Sequence, residues 1–160
     1  MDMDTHSGTD RLVSHTGMLI RRPIAEVFEA MVNPDMTTQF WFTRSSGRLH
    51  AGRQVDWEWE MYAVAITVTV TVIELNRRIV IEWPAEQGQN VVEWTFAPHD
   101  GSTFVSITET MLSGTPTPKQ VADSTEGFTV MLAGLKALLE YGIRLNLIAD
   151  RFPHGLEVAE

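Results

Sequence analysis

Glu109 shares strand parity with Val105, Ile107 and Met111, so the alternation that buries those side chains turns a carboxylate toward the core. A carboxylate on a buried face must be paired, and such a group can act as a general acid or orient a ligand. The alternative is a glutamate at the strand end, hydrated or bonded to a neighbouring side chain. Aromatic rings gather on the same side of the pattern. Trp41, Phe42, Trp57, Trp59, Trp83, Trp94, Phe96 and Phe128 mostly fall on predicted inward positions. Any one of them reads as core. As a set they suit the lining of a cavity, because each indole N–H wants an acceptor and indoles pack poorly as filler. With Met61, Met131, Leu135 and Glu109 they form the expected ligand-contact set. Glu109 with Tyr62 or His99 is the constellation that an enzyme of the cyclase or hydro-lyase type would use.

Other chemistries find no support. His6, His15, His50, His99 and His154 are scattered, and none forms an HxxxH or HExxH pair, so no metal site is expected. There is no GxSxG elbow and no glycine-rich phosphate loop, and no cofactor or catalytic residue is assigned. Cysteine is absent, which rules out disulfides and thiolate chemistry and suits a reducing cytoplasm. With 12 basic against 21 acidic residues the formal charge is −9, which opposes binding to a phosphate backbone, so nucleic acid is not an expected partner. The apolar stretches are interrupted well short of the roughly 18 residues a membrane span needs.

The elements that would position these residues follow from periodicity. Residues 1–11 read as a disordered tail, 12–153 as one domain and 154–160 as a C-terminal tail. A strand from Val13 to Arg22 leads through Pro23 into a short helix carrying Ile24, Val27, Phe28 and Met31, which Asn33-Pro34 stops. A second helical turn runs from Asp35 to Phe40. The period then becomes two. Val55, Trp57, Trp59 and Met61 face inward against Asp56, Glu58 and Glu60, and Val64, Ile66, Val68, Val70 and Val72 alternate with Ala65, Thr67, Thr69 and Thr71. Asn76-Arg77 marks a turn, residues 85–90 a loop, and Asp100-Gly101 a hairpin. The Val/Thr run, read as a long edge strand, offers a surface for a homodimer. From about Ala122 the period returns to 3.6, with Phe128, Met131, Leu132, Leu135, Leu138 and Leu139 on one stripe and Lys136, Glu140 and Arg144 opposite. Gly134 and Gly142 read either as tolerated helix glycines or as points of close approach of this helix to the sheet. Strands followed by a long helix make an α+β protein, with a curved antiparallel sheet of six to seven strands around that helix and two short helices after the first strand.

Several phrases carry a family resemblance over roughly residues 13–153. They are Arg22-Pro-Ile-Ala-Glu-Val-Phe28, Asn33-Pro-Asp35, Trp41-Phe42, the run from Val72 to Trp83, Thr95-Phe96, Val105-Ser-Ile-Thr-Glu109 and Glu126-Gly-Phe128. With the element order they resemble the START-like (SRPBCC) superfamily of helix-grip proteins, in the branch related to the activator of the heat-shock protein 90 ATPase. Many members carry Trp where this chain has Phe128. The resemblance implies a hydrophobic ligand such as a lipid, sterol or polyketide held between sheet and helix, and a few members are cyclases or hydratases. It also implies a link to stress response through chaperone activators, although eukaryotic activators use a further N-terminal domain for which this chain has no room.

Three functions therefore stand: a carrier or sensor of a small hydrophobic or aromatic molecule, an enzyme using the same cavity, and a protein-interaction module or chaperone partner using the anionic face of Asp56, Glu58 and Glu60.

Overall fold

Alternating apolar residues bury one face of a strand, and seven such strands here share one sheet. The computed structural model describes residues 11–156, so the tail readings for 1–10 and 157–160 fall outside it. The order is β1 (Leu12–Ile20), α1 (Ile24–Val32), α2 (Pro34–Thr37), β2 (Arg44–Ser45), β3 (Gln54–Trp59), β4 (Val64–Glu74), β5 (Arg78–Ala85), β6 (Gly88–His99), β7 (Ser102–Met111), α3 (Pro118–Tyr141) and α4 (Leu147–Arg151). All pairings are antiparallel, in the order β1-β7-β6-β5-β4-β3-β2. The chain's first strand thus joins its last, and α3 lies along β1 over the apolar face. This is the α+β helix-grip arrangement expected.

Local chemistry sets the joints. Asn33 ends α1 and starts α2, its Oδ1 accepting from the Asp35 N–H at 3.0 Å. Asp100 (φ 48°) and Gly101 (φ 80°) form the two-residue hairpin turn between β6 and β7, where both positions need positive φ. Helix α3 opens on a capping box in which Thr117 and Gln120 satisfy each other's backbone N–H groups.

Several details differ from the sequence expectation. The edge assignment for β4 fails, because it lies inside the sheet between β3 and β5, and the edges are β1 and the two-residue β2. A bulge between Val70 and Val72 shifts the β4–β5 register, so Ile73 rather than Val72 packs on the core beyond it. The loop expected at 85–90 is instead a tight hairpin, with Ala85 paired to Gly88. Helix α3 starts at Pro118, not Ala122, because proline is welcome in a first turn behind a good cap. Gly142 makes no close approach. It is the left-handed C-cap of α3 (φ 66°) with open space at its missing Cβ, which leaves Arg144 beyond the helix. Gly134 does sit close, but to α2's flank: a Cβ there would lie 3.4 Å from both the Cβ and carbonyl oxygen of Phe40.

Two kinds of contact hold α3 down. Its C-terminal half packs Met131, Leu132 and Leu135, all fully buried, into the core. Polar ties run along β1: Ser14 to Ser124 at 2.5 Å, Thr16 to Thr129 at 2.8 Å, and Lys136 Nζ donating to the Leu19 carbonyl at 2.8 Å. Lys136 also pairs with Glu140 at 2.6 Å, and Glu140 accepts from the Arg21 N–H at 2.9 Å. Burial alone would raise the Glu140 pKa, but the Arg21 N–H and the Lys136 ammonium outweigh it and hold the carboxyl below its ordinary value.

Leu135→Asp places a charge in the core and should remove most of a stability that is typically about 5–15 kcal/mol, so a mutant melting within a degree or two of wild type contradicts this packing. A depressed folded pKa contributes stability that is present above the unfolded value and lost as pH falls through the folded one. Wild type should therefore exceed Glu140→Gln in stability at neutral pH, with the gap closing on acidification through the carboxylate range. Denaturant titrations across pH check this, and a pH-independent gap contradicts it.

Candidate functional site

The aromatic residues separate into two layers. Phe42, Trp57 and Trp94 form the inner one, each 2% exposed or less, with Phe42 stacked on Trp57 at 4.7 Å between centroids. Trp41, Trp59, Trp83 and Phe128 form the outer one, and Trp83 stacks on Phe128 at 5.6 Å and 16°. Trp41 joins the layers. It follows α2, where its N–H bonds to the Thr37 carbonyl at 3.0 Å, and its ring lies 5.1–6.2 Å from Phe42, Trp57, Trp59, Trp83, Trp94 and Phe128. Most of these contacts are edge-on or tilted, the geometry that the ring quadrupoles favour.

The outer layer walls a cavity of about 630 Å³, within the range of small-molecule sites. Ser124, Gly127 and Phe128 from the N-terminal half of α3, with Val130 at its middle, form one side, Trp59, Tyr62, Val64 and Trp83 another. Ile148, Phe152 and Leu156 from the C-terminal segment close over it. That segment is tied down by the Tyr62 hydroxyl, which donates to the Ile148 carbonyl, and by an ion pair between Arg151 and Glu126. Arg151 also lies 4.3 Å over the Phe152 ring. Burial pushes the Tyr62 phenol up from its ordinary pKa, so it stays a neutral donor. Lys119 pairs with Asp123 at 2.6 Å at the same rim.

Glu109 lies on the cavity wall and is 6% exposed. Its Oε2 accepts from Trp83 Nε1 at 2.8 Å and Asn90 Nδ2 at 3.1 Å, and its Oε1 from the Ser124 hydroxyl at 2.6 Å. Because Ser124 gives its proton to Glu109, the Ser14 hydroxyl must donate to Ser124. The carboxylate is thus held by β5, β6 and α3, and through Ser124 by β1. It is buried and bonded to neighbouring side chains, and among the described residues no basic side chain makes a salt bridge with it.

Of the twelve residues expected to contact a ligand, Trp41, Trp59, Trp83, Glu109 and Phe128 line the cavity. Phe42, Trp57, Trp94, Phe96, Met131 and Leu135 lie in the core without lining it. Met61 departs from its expected inward position, because β3 ends at Trp59 and a 3-10 turn over Glu60–Tyr62 leaves Met61 38% exposed beside a smaller recess of about 110 Å³. His99 is also misplaced for chemistry with Glu109. It pairs with Ser102 at the hairpin end, seven residues along β7 from Glu109, or about 23 Å at roughly 3.3 Å per residue. Sequence reasoning missed the C-terminal wall, although Ile148, Phe152 and Leu156 recur at a helix-like spacing of four. It also missed Ser124, which no apolar pattern marks. Among the described residues, no cluster of three or more His, Cys, Asp or Glu could hold a metal ion, and no helix is long and apolar enough to cross a membrane.

Residues 21–140 match the family described as Activator of Hsp90 ATPase homolog 1-like protein. No curated protein matches. Among solved structures, protein SSP2350 from Staphylococcus saprophyticus is 30% identical with a TM-score of 0.73, the match covering 82% of this chain and 93% of that one. The Aha1 dimer from Colwellia psychrerythraea is 17% identical with a TM-score of 0.70, covering 80% and 96% respectively. CalU16 from Micromonospora echinospora is 16% identical with a TM-score of 0.65, covering 84% and 78%.

Trp41 contacts six rings, so Trp41→Ala should cost about 3–5 kcal/mol, the usual range for an aromatic-to-alanine change in a core. Chemical denaturation measures this, and a loss below about 1 kcal/mol would mean that the two layers do not depend on it.

Proposed function

The chain belongs to the Activator of Hsp90 ATPase homolog 1-like family, within the START-like helix-grip superfamily, and from that premise we propose that it carries or senses a small, flat, largely apolar molecule. The observation that carries this reading is the cavity of about 630 Å³, walled by Trp41, Trp59, Trp83 and Phe128 with a buried carboxylate among them. Such a space, mostly apolar with a few convergent polar groups, is the ordinary form of a ligand site.

The other two functions find less support. Catalysis at Glu109 lacks a partner, since Tyr62 gives its hydroxyl proton to a backbone carbonyl and His99 stands at the far end of β7. Docking through the anionic face of β3 is weakened by pairing within the chain. Asp56 accepts from Thr67 at 2.8 Å, and Arg44 lies 4.0 Å from Glu58 and 3.9 Å from Glu60. The likeness to Aha1, at 17% identity, speaks for the fold and not for a chaperone partner.

A ligand selective for the native state and present at 100 times its dissociation constant stabilises by about 2.7 kcal/mol. For a chain of this size that raises the melting point by roughly 5–10 °C. Bound beside Trp41, Trp59 and Trp83, it should also change tryptophan fluorescence. A screen of lipids, flavonoids and aromatic amines, alcohols and acids that produces neither effect would refute the carrier reading.

A further inference from the structure

We propose that the molecule held in this cavity is aromatic and carries a hydrogen-bond donor at its inner end, bound best as a protonated amine and worst as a carboxylate. This rests on the reading of the cavity as a ligand site and names the chemical class it takes.

Charge gives the first reason. At the rim, Lys119 pairs with Asp123 and Arg151 with Glu126, so the described ion pairs of these two cations are directed away from Glu109. Glu109 stands deeper, 6% exposed, with neutral donors only. The cavity therefore presents a buried carboxylate with which no described basic side chain forms a salt bridge, and a cationic ligand group would supply a partner of opposite sign.

Hydrogen-bond supply gives the second. A carboxylate offers about four acceptor sites, and the three side-chain donors on Glu109 leave room for one more. Two of the three donors to Glu109 have no second proton to give it. Trp83 has one N–H and gives it to Glu109; Ser124 does the same with its hydroxyl, and Ser14 gives its proton to Ser124. Asn90 turns its amide nitrogen to the carboxylate, as it must, since the flipped amide would set oxygen against oxygen. Its Oδ1 is consequently a buried acceptor with no hydrogen-bond partner among the described residues. The acceptor site left on Glu109 favours N–H or O–H from a ligand and disfavours another anion beside the carboxylate. Indole and phenyl rings around the carboxylate add attraction for a cation within about 6 Å of a ring centre.

Four naphthalene probes that differ in one substituent separate these terms: naphthylmethylammonium, naphthalenemethanol, methylnaphthalene and naphthoate. Calorimetric titration of the full chain at neutral pH should rank them in that order. The ammonium probe should bind roughly tenfold or more tighter than methylnaphthalene, as a charge-assisted hydrogen bond warrants. In Glu109→Gln the ratio of ammonium to naphthoate affinity should collapse toward one. If that variant does not fold, Ser124→Ala serves: it removes a donor from Oε1, so the same ratio should rise. Naphthoate binding as tightly as the ammonium probe, a preference that survives in Glu109→Gln, or a ratio that falls in Ser124→Ala overturns the proposal. If methylnaphthalene binds and the substituents make no difference, only the donor requirement fails. If no probe binds, the cavity reading itself fails and this proposal with it.

Discussion

Keeping the Glu109 carboxylate buried is the constraint on which the site's shape depends. A carboxylate removed from water without partners costs far more than a domain's net stability can bear, so donors must converge on it. Here they come from Trp83 on β5, Asn90 on β6 and Ser124 on α3, with Ser14 on β1 behind Ser124. Each bond to a charged group contributes about 1.5–3 kcal/mol. Their joint effect is geometric: the N-terminal half of α3 is fixed over the sheet by hydrogen bonds of defined length. The C-terminal half of the same helix is drawn down by Met131, Leu132 and Leu135. One helix thus has a half that seals the core and a half that spans a cavity.

The inner aromatic layer supports the wall. Trp57 Nε1 and Trp94 Nε1 are buried with no acceptor among the described residues, a loss of about 1–3 kcal/mol each. A buried indole removes roughly 150–250 Å² from water, worth about 4–6 kcal/mol at 25 cal/mol per Å², so the rings remain net stabilising there. Phe42, Trp57 and Trp94 are therefore structural rings, and Trp41 transmits their rigidity to Trp59, Trp83 and Phe128.

Much of this was legible in the sequence because strand parity is a local property. It placed Trp57, Trp94, Val105, Ile107 and Glu109 on the buried face, and the 3.6 period placed Phe128, Met131 and Leu135. It failed where the period breaks. The bulge near Thr71 reverses the phase after Val70, and the 3-10 turn after Trp59 carries Met61 outward. Parity also cannot distinguish a ring in the core from one on a cavity wall, since both point inward. That distinction depends on Ser124 and on the segment holding Ile148, Phe152 and Leu156, which meet the sheet only through tertiary contact. The capping box at Thr117 and Gln120 was a readable signal for the helix start, obscured by the prolines around it.

The five indole N–H groups give the most direct test of the two-layer account. In a nitrogen-15 correlation spectrum titrated with a naphthalene probe to saturation, the resonance of Trp83, whose N–H bonds Glu109 on the cavity wall, should shift most. Trp41 and Trp59 should follow, and Trp57 and Trp94 should move least. Shifts confined to Trp57 and Trp94, or five unmoved resonances at saturation, would contradict a ligand site between the outer rings and helix α3.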